Sequence, residues 1–400
     1  MRPKKSISYQ ELRDLIPEQY LDDLAIKTKV DHSVSKLTGQ NMFSLLLYGF
    51  TSGRLVSLRI LEQIFNSPIF QLQKMSKEKI HHQSIAERLK TMKPVYFKNI
   101  FDYLAGDQKI RNWMGVVGQK YVVSKIDSTI VNLSSKLLNI GLKINPGKRD
   151  LKFSLSLTEG LPLNLELLTG QSFASEDKAL PKIMAKEKAK AKSQLTILIF
   201  DRGVQKKATF AWIDETLNLF FISRLSSQHY QVDRRHKQIK GRKAGDLILI
   251  SDKIIHFANS KTKGKKEVKK QYRLITAFNP KNQQKYQFLT NSYFLNAVEI
   301  SQLYKSRWEI EIFFKFIKQN LSFSHLLSRT RNGIKIQMYM TMITAILIAV
   351  YKKINKVEGW VIAKMRLMQE LELNIIETFF EDILPMFPNS KKISLLFNDS

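Results

Sequence analysis

The stretch "LTILIFDRGVQKKATFAWIDETLNLFFISRL", residues 195 to 225, decides how this chain folds. It opens with "LTILIF", a continuous apolar run of strand length that ends in a polar turn, the pattern of a strand buried on both faces. "KKATFAWIDET" then has helical spacing, and "LNLFFISRL" returns to strand. Asp201 directly follows the buried run, and ligands of α/β sheets gather at the carboxyl ends of strands. Taken alone, an Asp before Arg202 and Gly203 is an ordinary turn acid.

Working upstream, "KYVVSKIDSTIVNL", "DLKFSLSL" and "LPLNLELL" read as three antiparallel strands, the last two joined by a tight turn at Glu159 and Gly160. "EDKALPKIMAKEKAKAKSQ" reads as a helix despite Pro181. The order is three strands, helix, strand, helix, strand and, after an interruption, another helix. That is the element order of an α/β, ribonuclease-H-like core, expected over 119–321. The interruption, 226–291, contains "DLILISDKIIHFA", "YRLITAF" and "YQFLT" with the basic runs "DRRHKQIKGRK" and "KTKGKKEVKK". It reads as an inserted β-rich subdomain with two lysine-rich turns suited to nucleic-acid contact. Residues 1–115 and 322–400 read as helical regions on either side, and the capping-box spacing of Ser84 and Glu87 predicts a helix start at Ser84.

Charge narrows the partner. Against 35 Asp and Glu stand 65 Lys and Arg, a formal +30 at a sequence pI of about 10.0, in a chain that is 44% hydrophobic. A folded protein of that kind has a polyanionic partner, and nucleic acid is the first candidate. A membrane surface fits less well, because the basic residues are spread over separate folded elements rather than one amphipathic helix. The longest apolar run, "MYMTMITAILIAVY" at 338–351, is shorter than the roughly 18 to 20 residues that cross a bilayer, so a buried core helix is expected. The basic N-terminus lacks an apolar secretory segment, which predicts a cytoplasmic protein. Cysteine is absent, which excludes disulfides, thiol catalysis and thiolate metal sites. The seven His are scattered, so a bound metal needs carboxylate ligands and is a hard cation such as Mg²⁺ or Mn²⁺.

A second stretch, "YKSRWEIEIFFKFIK" at 304–318, is apolar around most of a helix but carries one polar stripe. Tyr304, Arg307, Glu311, Lys315 and Lys318 fall within an arc of roughly 80°. The plain reading is a set of i,i+4 ion pairs on a narrow exposed face. Asp127 in the first strand and Asp201 after the buried one change the balance, because three carboxylates in these elements suit one chemistry. Two divalent cations about 3.5 to 4 Å apart, held by carboxylates, activate a hydroxyl and stabilise the leaving oxygen of a phosphodiester. Lys315 and Lys318 on the helix, and Arg202 beside the second acid, are then candidates to bind phosphate.

The spacing Tyr304, Arg307, Glu311, Lys318 resembles the Y-R-E-K signature of the DDE transposases of the insertion-sequence-four family. "KIDSTIVNL" resembles the family's first-aspartate strand and "ILIFDRGV" its second-aspartate turn, where Tyr more commonly stands in place of Val204. The resemblance covers about 80 to 350. It implies a bacterial, nucleoid-associated transposase that binds terminal inverted repeats, pairs two DNA ends as a homodimer, cuts, and joins 3′-ends to target DNA. Asp127, Asp201 and Glu311 would bind two Mg²⁺ ions, with Mn²⁺ as a substitute, and Tyr304, Arg307 and Lys318 would hold phosphates. The N-terminal helices would read the end sequence. Some members stack a flipped base on a Trp in a segment resembling K-W-x-x-L-T; "KYQFLT" puts Tyr286 there and keeps an aromatic ring. The rival readings are a DNA-binding protein without catalysis and a nuclease that never joins ends.

Overall fold

Helices occupy the first part of the chain: α1 (Tyr9–Arg13), α2 (Glu18–Thr28), α3 (Gly39–Thr51), α4 (Leu58–Phe65), α5 (Pro68–Gln73), α6 (His82–Thr91), α7 (Val95–Gly106) and α8 (Gln108–Trp113). The computed structural model describes residues 6–52, 55–73, 78–133, 142–143, 149–191, 194–226, 229–257 and 270–378. The helix expected to start at Ser84 starts at His82, with no side-chain cap from His81. Its first turn is held from outside, by the Glu62 carboxylate accepting from the His82 backbone N–H at 2.9 Å and bonding its ring Nδ1 at 2.8 Å. A tertiary partner has replaced the local capping box.

The strands begin at β1 (Val122–Leu133), β2 (Arg149–Thr158) and β3 (Leu161–Leu168), followed by α9 (Glu176–Ala191), β4 (Thr196–Phe200), α10 (Lys207–Ala211) and β5 (Phe220–Arg224). Glu159 and Gly160 both have positive φ, 49° and 81°, as a two-residue hairpin turn between right-twisted strands requires. Then come β6 (Tyr230–Lys237), β7 (Lys243–Ala244), β8 (Leu247–Phe257), β9 (Gln271–Asn279), β10 (Gln284–Thr290), α11 (Ala297–Ser306) and α12 (Trp308–Asn320). The main path of the sheet runs β3-β2-β1-β4-β5-β10-β9-β8-β6, with β7 paired to β8. The β1–β4 and β4–β5 pairs are parallel and the others antiparallel, a mixed α/β sheet.

Alternation along the strands sorts the core into two faces. Ile126, Leu198 and Phe200 pack with Leu180, Ile183 and Met184 of α9 and Phe210 of α10. Val123, Ile197 and Ile199 pack on the other side with Ala297 and Ile300 of α11. Each Leu, Ile, Met or Phe side chain among them, withdrawn from water, contributes about 1.5 to 3 kcal/mol.

The segment read as an inserted subdomain continues this same sheet, because β10 pairs antiparallel with β5 from Phe288 opposite Arg224 to Thr290 opposite Ile222. Without β10, β5 would end the sheet as an open edge. "DRRHKQIKGRK", read as a turn, supplies most of β6, and only its later residues form the tip. No apolar alternation marks β6, because it is an edge strand with residues 231–235 all exposed. The second basic run lies outside the described residues except for Lys270.

Inside this sheet Arg273 and Asp252 form a fully buried ion pair, with the guanidinium Nη2 2.7 Å from Asp252 Oδ2. Its Nη1 also donates to the carbonyls of Ser292 and Leu295, which hold the approach to α11. Arg273→Ala is expected to cost about 3 to 5 kcal/mol in urea unfolding, since it leaves a buried carboxylate alone. A reduction below about 1 kcal/mol would contradict this account.

After α12 the chain continues through α13 (Arg331–Ile354) and α14 (Trp360–Thr378). Two compact units result: Gly115–Phe314, and Met1–Met114 with Lys315–Ser400. In the helical unit α13 packs against α3, α6, α7 and α14. The segment before α1 meets the segment after α13 there, with the Ile7 N–H donating to Asn355 Oδ1 at 2.8 Å. At 24 residues, α13 is long and apolar enough to cross a membrane by length and composition, and 89% of its apolar window is buried inside the unit.

Candidate active site

β1 and β4 pair in parallel from Val122 with Thr196 to Lys125 with Ile199. Two residues further along each chain stand Asp127 and Asp201. Extending the register puts them level, on neighbours spaced about 4.8 Å apart. Alternation places Asp127 on the face of Val123 and Lys125, the face that α11 covers. α12 reaches the same face, where Lys125 Nζ, almost fully buried, meets Glu309 Oε2 at 2.9 Å.

Glu311 joins this pair through a guanidinium. Arg307 Nη1 donates to Asp127 Oδ2 at 3.3 Å and Nη2 donates to Glu311 Oε1 at 2.5 Å. The Tyr304 hydroxyl donates to Asp201 Oδ1 at 2.9 Å. All three acids are therefore tied to the two residues that precede Glu311 in the polar stripe. The stripe itself is not one helix: α11 ends at Ser306, α12 begins at Trp308, and the Arg307 N–H bonds back to the Tyr304 carbonyl at 3.1 Å. The tightened turn coincides with the side chain that is drawn toward two carboxylates. Ile310, Phe313, Phe314, Phe316 and Ile317 are buried as the sequence predicts, whereas Trp308 and Ile312 are exposed.

Electrostatics follow from this crowding. Asp127 has its pKa pushed up from 3.8 to about 6, by burial first and then by the charges of Glu176 and Asp201; the Ser128 N–H and Arg307 pull the other way. Burial, followed by the charge of Asp201, raises the Tyr304 phenol, which stays protonated as the donor to that acid.

The remaining candidates are placed differently. Arg202 is exposed beside Asp201. Lys315 and Lys318 belong to the part of α12 in the helical unit; Lys315 is exposed, and Lys318 is half-buried with its pKa lowered by burial. Tyr286 begins an aromatic series, stacked near Phe288 with centroids 6.3 Å apart, and Phe288 lies 4.9 Å from the Tyr304 ring. The Arg224 guanidinium lies 4.7 Å from the Tyr286 centroid, so a base stacking on that face must displace it. Sequence reading missed Arg224, Lys125 and Glu309. The available signals were Lys125, a charged residue in an apolar strand two places before an acid, and Glu309, the one polar exception on the otherwise apolar circumference of the helix.

Among the described residues, no group of three or more His, Cys, Asp or Glu side chains stands close enough to hold a metal ion. The donor set nonetheless suits a hard divalent cation, being carboxylate oxygen throughout. Arg307 already puts a positive charge between two of the three acids. By donor type alone the acids would fit a divalent cation.

Residues 120–347, which include all three acids, match the model of the family described as "Transposase DDE domain". The chain belongs to that family. Two relatives carry the names "Putative transposase y4zB", from Sinorhizobium fredii, and "Putative transposase for insertion sequence element IS4SA", from Synechocystis. The first is 28% identical over 159 residues, which are 40% of this chain and 43% of the relative. The second is 24% identical over 258 residues, which are 61% and 64%. The chain thus spans less than two thirds of the length of these relatives.

Proposed function

We propose that this chain is an insertion-sequence transposase of the insertion-sequence-four type, acting on double-stranded DNA through a ribonuclease-H-like acid site of Asp127, Asp201 and Glu311. The observation that carries this reading is the level placement of Asp127 within β1 and Asp201 at the end of the neighbouring parallel strand β4, with Glu311 tied to Asp127 through Arg307. Two Mg²⁺ ions bound by the acids would activate the attacking hydroxyl and neutralise the leaving oxygen of the phosphodiester.

The protein's own groups do the rest. Tyr304 fixes one oxygen of Asp201 and leaves the other available to a cation. Arg307 binds two of the acids at once, so an entering phosphate competes with Asp127 and Glu311 for its guanidinium. Exposed Arg202 and Lys315, together with Lys318, supply further phosphate contacts, and Tyr286 offers a ring to an unstacked base when Arg224 moves aside. The helical N-terminal region would read the terminal inverted repeat, and a homodimer in the cytoplasm would hold two ends together.

The test is cleavage and joining of a labelled DNA end carrying the element's terminal repeat, with Mg²⁺ or Mn²⁺. Metal-dependent nicking followed by strand transfer is expected. Binding of the end without cutting would leave only the non-catalytic reading, and cutting without joining only the nuclease.

The basic edge of the sheet gives a separate expectation. Arg234, Arg235, Lys237, Lys240, Arg242 and Lys243 are all exposed, and charge on this edge suits phosphate. Replacing Arg234, Arg235 and Lys237 by Gln should weaken DNA binding at low salt. It should also flatten the log–log salt dependence by about 0.9 for each phosphate no longer neutralised. An unchanged slope would remove β6 from the interface.

A further inference from the structure

We propose that the first turn of α9, Glu176 with Asp177, is a clamp that fixes Asp127 and Asp201 relative to each other, with Glu176 a positioning residue of the acid site. The proposal rests on the acid-site reading above.

The need for a clamp comes from the sheet. The β1–β4 ladder ends at Lys125 and Ile199, so no backbone pairing joins Asp127 directly to Asp201, which lies past the end of β4. Asp127 is still fixed by β2, opposite Leu155, so it is the turn carrying Asp201 that must be held relative to it by side chains, against the repulsion of the two acids.

Glu176 reaches both elements. Its Oε2 accepts from the Ser128 hydroxyl at 2.9 Å, and the Ser128 backbone N–H donates to Asp127 Oδ1 at 2.8 Å. Its Oε1 pairs with Lys152 Nζ at 2.7 Å, a lysine buried in β2 that also donates to the Ala174 carbonyl at 2.9 Å. With both oxygens engaged, Glu176 is built to be held in place. Its methylene then lies against Gly203, two residues after Asp201, where an added Cβ would stand 2.7 Å from Glu176 Cγ and 3.0 Å from its Cβ. Asp177 completes the hold on that turn, its Oδ1 accepting from the backbone N–H groups of Gln205 at 3.1 Å and Lys206 at 3.0 Å.

Acids in a first helical turn commonly do no more than favour the helix dipole. Here both side chains are spent on other elements: Glu176 on β1, β2 and the turn after β4, Asp177 on that turn. One dipeptide spans the gap between the two aspartates.

The test uses the full chain and four variants: Glu176→Ala, Glu176→Gln, Asp177→Ala and Gly203→Ala. Two readouts are taken, amide hydrogen exchange over 201–206 without metal, and Mn²⁺ binding by electron paramagnetic resonance. We expect faster exchange over 201–206 in Glu176→Ala and Asp177→Ala. Half-saturating Mn²⁺ should rise about 10- to 100-fold in Glu176→Ala and Gly203→Ala, with DNA-end affinity unchanged, as for other groups that orient ligands. Glu176→Gln keeps an oxygen for Ser128 and should fall between. Glu187→Gln, further along α9 at the Asn164 contact, controls for simple destabilisation and should leave Mn²⁺ binding at the wild-type value. Unchanged exchange overturns the clamp whatever the metal does. Faster exchange with unchanged Mn²⁺ binding overturns its role at the acids. Wild-type protein whose Mn²⁺ binding is insensitive to Asp127→Asn overturns the acid-site reading and, with it, the positioning role.

Discussion

Asp127→Asn is expected to raise the thermal midpoint of the metal-free protein at pH 7.5 by a few degrees and to lower DNA-end cleavage about 10³-fold or more. The two effects have one cause. The carboxyl titrates near pH 6 in the folded protein against 3.8 ordinarily, so the fold binds that proton more tightly than the unfolded chain does. An acid shifted upward contributes stability fully below about pH 3.8 and loses it as pH rises through 6. Above pH 7 the ionised carboxylate costs about 1 to 3 kcal/mol, which Asn avoids, less whatever its attraction to Arg307 contributes. The same strained charge is what a divalent cation would relieve. The advantage of Asn should vanish toward about pH 4, so scanning calorimetry from about pH 4 to 8 checks the sign. A difference that does not change with pH, or an Asn variant less stable throughout, would show that burial does not strain this carboxylate.

Arg307→Ala should separate metal binding from catalysis. The guanidinium pairs with both Asp127 and Glu311 in the metal-free protein. Its removal leaves two partly buried carboxylates without their cation, so the variant should be less stable without metal and more strongly stabilised by added Mn²⁺ than the wild type. Cleavage should nevertheless fall by about 10²-fold or more, because the same guanidinium is the proposed phosphate ligand. Arg307→Lys should restore part of the charge but not the two-pronged geometry. Calorimetry with and without Mn²⁺ gives the first result, and single-turnover cleavage the second. A variant that responds to Mn²⁺ no more than the wild type would mean that Arg307 does not occupy the cation's place.

Strands β1 to β5 and their helices were legible because their signals are local: the all-buried run of β4, the Glu159–Gly160 turn, and the helical spacing of 207–216. The elements that carry the three candidate acids were legible for a related reason, since each acid stands at a fixed place in an element that the pattern marks. β6 was not, because an exposed edge strand has no apolar face to produce alternation. The helix start at Ser84 was misplaced because a carboxylate twenty residues upstream holds His82, and no short window contains that contact.

The sequence by itself determined the α/β order, the basic character, the oxygen-only donor set and the spacing of the Tyr304–Lys318 stripe. Only the tertiary structure decided that Tyr304 donates to Asp201, that Arg307 bridges Asp127 and Glu311, that β6 to β10 extend one sheet, and that Glu176 spans two aspartate-bearing elements. These contacts join residues up to 180 positions apart. Composition and periodicity specify which face of an element is apolar; which two polar side chains meet across elements depends on register and packing angle, set when the whole core closes.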